Sequence, residues 1–178
     1  MPDILLYALI VLAVIVVILF AYAFTRPDTF HIRRSADIAA PAGRIFPLIA
    51  NLKSMNTWSP FADPDPNIKI SYSGPESGVG AAHAWVGNAK VGEGRIEITE
   101  VHAPDKVAMR LQIVKPMRAD NRVEFTLQPN GNATNVTWQM SGKQPFLGKI
   151  VTLFIDCDKM VGREFDKGLA NLKAIAEG

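Results

Sequence analysis

Three segments decide the fold: KVAMRLQIV (106–114), RVEFTLQ (122–128) and TNVTWQMSG (134–142). In the first, Val107, Met109, Leu111 and Ile113 share one parity, and Arg110 and Gln112 occupy the other. The second repeats the pattern with Val123, Phe125 and Leu127 against Arg122 and Glu124. The third does so with Val136, Trp138 and Met140 against Asn135, Thr137 and Gln139. A period of two puts alternate side chains on opposite faces, so these strands have one covered and one wet face and build an antiparallel sheet. Between the second and third, Pro129-Asn130-Gly131-Asn132 contains the Asn-Gly pair that favours a tight hairpin.

Working towards the N-terminus, Gly94 to His102, Gly80 to Val86 and Ile68 to Ser73 read as further strands. Phe61 to Pro66, with two prolines and two aspartates, reads as loop. Leu52 to Trp58 is a short helical piece, and Pro41 opens another carrying Ile45, Phe46, Leu48 and Ile49, since a first-turn proline forfeits no helical bond. Asp28 to Ala40 is a first strand, with Phe30, Ile32, Ala36 and Ile38 on one parity. Arg34 shares that apolar parity, as an edge-strand arginine reaching out to solvent or as a seat for an anionic headgroup.

Working towards the C-terminus, Leu147, Ile150, Phe154, Cys157, Val161, Phe165, Leu172 and Ile175 keep helical spacing, with Lys149, Asp158, Lys159, Arg163, Glu164, Asp166 and Lys173 off the stripe. This predicts one long helix laid across the covered face of the sheet. The fold class is therefore α+β: about seven antiparallel strands curved around a C-terminal helix.

Residues 28–178 form that unit, and residues 1–27 are of another kind. Ile4 to Phe24 are 21 residues without charge or proline. At about 1.5 Å per residue they match the roughly 30 Å hydrocarbon core of a bilayer. They are apolar all round, with Tyr7, Tyr22 and Phe24 near the ends and Arg26-Pro27 as the stop. Ala21-Tyr22-Ala23 fits a signal-peptidase site, but the apolar run is longer than a signal peptide needs and no Lys or Arg precedes it. The reading is a retained single-pass anchor in the lipid bilayer. Arg26, Arg33 and Arg34 follow the span and no basic residue precedes it, which places the remainder in the cytoplasm.

Composition narrows the chemistry. The 178 residues carry a formal net charge of +2, without the basic blocks that nucleic acid would require. The lone Cys157 excludes an internal disulfide, a CxxC pair and a cysteine-built zinc site, and on the apolar stripe its thiol would be an inert hydrophobe. Three scattered histidines hold no metal motif, so no metal or other cofactor is expected. Gly78-x-Gly80 and Gly92-x-Gly94 precede strands rather than helices, which excludes phosphate loops and suggests hairpin or bulge glycines. Glu97 and Glu100 fall on opposite parities, too far apart for a carboxylate pair.

The element order, with the wording inside it, resembles the polyketide cyclase/dehydrase and lipid-transport family of the START-like, helix-grip (SRPBCC) superfamily. The resemblance rests on Ile38-Ala39-Ala40-Pro41 with Ile45-Phe46, Trp58-Ser59-Pro60, Tyr72-Ser73-Gly74-Pro75, Trp85-Val86-Gly87-Asn88, Gly92-Glu93-Gly94-Arg95-Ile96, Thr134-Asn135-Val136-Thr137-Trp138 and Gly168-Leu169-Ala170-Asn171-Leu172-Lys173. Met55 departs from the family, where a tryptophan often stands. The resemblance implies an apolar cavity between sheet and helix for lipids, polyketides or sterols; because fold and function separate, it does not imply catalysis.

The residues expected around that cavity are Trp58, Trp85, Met109, Leu111, Phe125, Trp138 and Met140 from the sheet side and Phe154, Val161 and Phe165 from the helix. Met and Trp suit variable apolar ligands, although the same residues could simply pack a core. His83 shares parity with Trp85 and is the one candidate base. His31 should face solvent and His102 should sit in a turn. The expectation is a membrane-anchored binder of a hydrophobic small molecule. The rivals are a cyclase or dehydratase using His83 and a protein-interaction module whose partner the sequence leaves open.

Overall fold

In the computed structural model, which describes residues 2–61, 65–153 and 155–178, the chain forms α1 (Pro2–Phe24), β1 (Thr29–Ile38), α2 (Ala42–Ala50) and α3 (Leu52–Met55). Then come β2 (Lys69–Ser73), β3 (Ala82–Val86), β4 (Glu93–His102), β5 (Lys106–Lys115), β6 (Ala119–Asn130), β7 (Ala133–Lys143), α4 (Phe146–Val151) and α5 (Cys157–Glu177). The strands make one seven-stranded sheet in the order β1-β7-β6-β5-β4-β3-β2, antiparallel at every neighbour. Consecutive hairpins run from β2 to β7, and β1 returns to pair with β7, so α2 and α3 are the only crossover that the topology needs.

Alternation fixes the register. Val107 faces Phe125, which faces Trp138, and Met109 faces Val123, which faces Met140, so the apolar parities meet on one concave face. Charged pairs cover the convex face: Arg122 and Lys106 both reach Glu100, at 2.7 and 3.2 Å, and their hydrogen bonds hold its carboxyl down to about 2. A bulge between Ile98 and Glu100 brings Glu97 and Glu100 onto this same face, against the strict parity read from the sequence. They still form no carboxylate pair, because Glu97 is engaged with Arg95. At Gly92 (φ +71°) a Cβ would strike the Lys115 carbonyl, and the register shifts between Glu93 and Gly94, in keeping with a turn-and-bulge role for these glycines.

The C-terminal helix is not continuous. Residues 152–156 separate α4 from α5, and the Asp156 side chain caps α5 by accepting from the Lys159 N–H at 2.9 Å. Cys157 therefore opens a helix, half-buried, instead of lying on a buried stripe, and Ile175 is 41% exposed. The true stripe of α5 is Val161, Phe165, Leu169, Leu172 and Ala176. This face packs along β1 and β7. Lys149 also departs from expectation: it is buried, and its ammonium meets Asp28 at 2.6 Å, the partner that a buried cation requires.

Arg34, on the apolar parity of β1, keeps a quarter of its side chain exposed and turns its guanidinium to α5. It donates to the Asp158 carboxylate at 2.9 Å and to the Asp158 carbonyl at 3.0 Å, and lies 3.6 Å from Asp166, tying β1 to the start of α5. α1 is long and apolar enough to cross a membrane: an 18-residue window within Ile4–Phe24 has a mean hydropathy of 3.4, and none of that window is buried.

Candidate functional site

The concave face has two levels. At the floor, Trp58, Met109, Phe125, Trp138 and Phe165 are all at most 2% exposed. Trp138 stacks on Phe165 at 4.2 Å and 8°, tilts against Phe125 at 4.9 Å, and takes Trp58 edge-on at 5.6 Å. Phe61, from the loop before β2, closes the cluster at 6.0 Å from Trp138. Hydrogen bonds hold this arrangement: Trp58 Nε1 donates to the Leu48 carbonyl at 2.9 Å, and Asn171 of α5 donates to the Trp58 carbonyl at 3.0 Å. Gly168 makes room on α5, since a Cβ there would stand 2.7 Å from the Trp138 ring. Aromatic area packed this closely fills the space between sheet and helix at this level.

At the upper level the lining opens. Trp85, Leu111, Met140, Val161 and Phe30 are only partly buried, although they pack against the core. All lie towards the sheet end where β1 starts and β7 finishes, because Thr29 pairs with Lys143 and Leu111 pairs with Asn121, which pairs with Gly142. Trp85 lies flat over its cross-strand partner Gly94, where a Cβ would come within 2.6 Å of the indole. The residues expected around the cavity thus fall on both levels, and Phe154 lies outside the described residues.

Three buried polar atoms have no hydrogen-bond partner among the described residues: His83 Nδ1, Asn121 Oδ1 and Trp138 Nε1. All three side chains share the apolar parities of the concave face, and His83 and Asn121 occupy one cross-strand row, His83–Ile96–Leu111–Asn121. Asn121 escaped the sequence reading because β6 begins three residues earlier than its apolar alternation suggests. The signal was present in its parity, shared with Val123 and Phe125.

His83 is 7% exposed, edge-on to Tyr72 at 5.7 Å and to Trp85 at 5.9 Å. Burial disfavours its charged form and pushes the imidazole down to about 4. At neutral pH it is an uncharged hydrogen-bonding group and a weak base. Among the described residues no three His, Cys, Asp or Glu side chains come together as a metal site. At the β2 edge of the sheet, a groove of about 300 Å³ runs between α3 and β2, lined by Leu52, Lys53, Tyr72 and Glu76 among others.

A curved antiparallel sheet gripping a C-terminal helix, with an apolar concave face that opens at one end, defines a helix-grip protein. The family model for polyketide cyclase/dehydrase and lipid transport matches residues 29–177, and the chain belongs to that family. Solved structures share the fold at low identity. A Chromobacterium violaceum protein, CV1439, matches with a TM-score of 0.59 at 13% identity over 86% of this chain and 99% of its own. The Aha1 dimer from Colwellia psychrerythraea matches at 0.59 and 18% over 83% and 96%, and ginseng major latex-like protein 151 from Panax ginseng at 0.61 and 10% over 85% and 100%. None of the curated proteins matches the chain.

Proposed function

We propose that the protein binds one hydrophobic small molecule, a lipid, isoprenoid or polyketide-like compound, at the upper level of the concave face, while α1 anchors it in a membrane. The observation that carries this reading is the pairing of a half-open apolar rim, Trp85, Leu111 and Met140, with the unpartnered polar atoms of His83 and Asn121 in the same lining. An unpartnered buried polar atom costs about 1–3 kcal/mol, so a partner from outside the chain is favoured there. The apolar body of a ligand would lie on the rim, and a hydroxyl or carbonyl on it would meet the neutral imidazole or the carboxamide. The packed floor sets the depth of the seat.

The family's lipid-transport description and the apolar α1 point the same way, since a bilayer is the reservoir into which such ligands partition. The enzymatic alternative would need His83 as base, yet burial pushes the imidazole down to about 4, which makes it a weak one, and its Nδ1 has no partner among the described residues to orient it. Energy transfer tests binding. All three tryptophans lie on the concave side, so a polyene fatty acid titrated into the delipidated full chain should quench their emission and saturate at one probe per chain. Leu111→Arg or Met140→Arg should abolish the transfer with the melting transition retained. Absence of saturable transfer to the wild-type chain removes this function.

A further inference from the structure

α4 is amphipathic in the wrong sense for water. Its Lys149 is buried on Asp28, while Leu147 is 70% exposed, Val151 42%, and Ile155 just beyond it 47%. Its first residue, Phe146, packs on Phe20 at 5.4 Å and on Phe24 at 4.7 Å. Both phenylalanines belong to the apolar run Ile4–Phe24, one helical turn or about 6 Å apart. If α1 crosses a bilayer, α4 is held against its last turn, inside the boundary of the span. Only residues 25–28 separate α1 from β1, which leaves little freedom to swing away.

The same end of the sheet carries the β5–β6 connection, because Glu93 pairs with Lys115 and Thr29 with Lys143. There Met117 is 60% exposed between Lys115 and Arg118, with Val114 44% exposed beside them. The described acidic groups of this end are engaged: Asp28 by Lys149, Glu93 by Lys115, Asp120 by Arg110, Asp158 by Arg34 and Asp65 by the Asn67 and Asn88 amides, while Asp156 caps α5. Arg118 has no carboxylate partner among the described residues. Exposed apolar side chains next to a cation with no carboxylate partner suit a surface of anionic phospholipid.

We propose that this end of the sheet is a membrane-docking face. α4 and Ile155 lie in the boundary between headgroups and acyl chains, and the β5–β6 tip sets Met117 and Arg118 on the lipid surface. The half-open rim of Trp85, Leu111 and Met140 then faces the bilayer, and an apolar ligand reaches it without crossing water. This inference rests on reading α1 as a retained membrane-spanning helix.

The test uses the full chain, with Cys157→Ser, in vesicles of phosphatidylcholine and phosphatidylglycerol. A nitrobenzoxadiazole label is placed in turn at Leu147→Cys, Met117→Cys, Leu12→Cys and Asn132→Cys, the last at the far end of the sheet. Labels at 147 and 117 are expected to emit further to the blue than the label at 132 and to be quenched by a nitroxide near the lipid glycerol backbone. The label at 12 is expected to be quenched by a nitroxide deep in the acyl chain. If 147 and 117 behave like 132 while 12 is quenched, the docking face is wrong and the anchor stands. If 12 is not quenched, the anchor fails and takes the proposal with it. Blue-shifted but unquenched emission at 147 means that protein covers the face, such as a second copy of the chain, and overturns the proposal.

Discussion

The indole of Trp138 on β7 lies flat on the ring of Phe165 on α5, with 4.2 Å between centroids and 8° between planes. This stack divides the concave face into a sealed floor and an open rim, so substitutions at the two levels should have different consequences. Phe165→Ala removes one side of the stack and leaves a void that Trp58 and Phe125 can only partly fill. The expected loss is about 3–5 kcal/mol, read as a lower denaturant midpoint with an unchanged slope. Gly168→Val should also destabilise, because its Cβ would meet the Trp138 ring. An unaltered midpoint for Phe165→Ala would mean that the floor is not the packed core described here.

His83 should give the acid limb of stability a specific shape. Its folded value is about 4 against 6.5 for the free side chain, so between those limits the unfolded chain binds the extra proton. Above pH 6.5 the group contributes nothing to the pH dependence. As pH falls from 6.5 to about 4, stability is lost by an amount approaching about 3 kcal/mol, at 1.36 kcal/mol for each tenfold change in proton affinity. His83→Phe should flatten that window and leave the neutral plateau in place. A variant with the wild-type slope would show that another group titrates there.

Arg34 should act through the start of α5. Gly162 gives the guanidinium its place, since a Cβ there would land on it. Gly162→Ala should therefore displace the flexible end of Arg34 from Asp158 without a backbone clash. Amide exchange in residues 157–163 should then accelerate, while Leu169 to Ala176 stay protected. Equal protection in both proteins would mean that the arginine does not secure the helix.

Much of this architecture is legible in the chain because a period of two is a strong signal where one face is covered: Val107, Phe125 and Trp138 meet in register as their parities require. Other features escape for physical reasons. The break at 152–156 contains neither glycine nor proline, and its apolar residues fit a helical period; only Asp156, a capping residue three places before the Lys159 amide it accepts from, marks a new start. The bulge before Glu100 shifts parity by one residue and leaves no sequence trace. The tie from Arg34 to α5 escapes because Asp158 lies 124 residues away. The depth of the candidate site is the least legible feature. Whether Trp138 lines a space or fills one depends on Phe165 lying against it, and alternation alone is silent on that contact.

Native mass spectrometry of the full chain, released gently from its membrane, tests the central claim most directly. The account predicts a one-to-one complex with a small apolar molecule bearing a hydroxyl or carbonyl, present for the wild-type chain and absent for Leu111→Arg. Wild type and variant both emerging as the bare chain, with the same mass apart from the substitution, would contradict it.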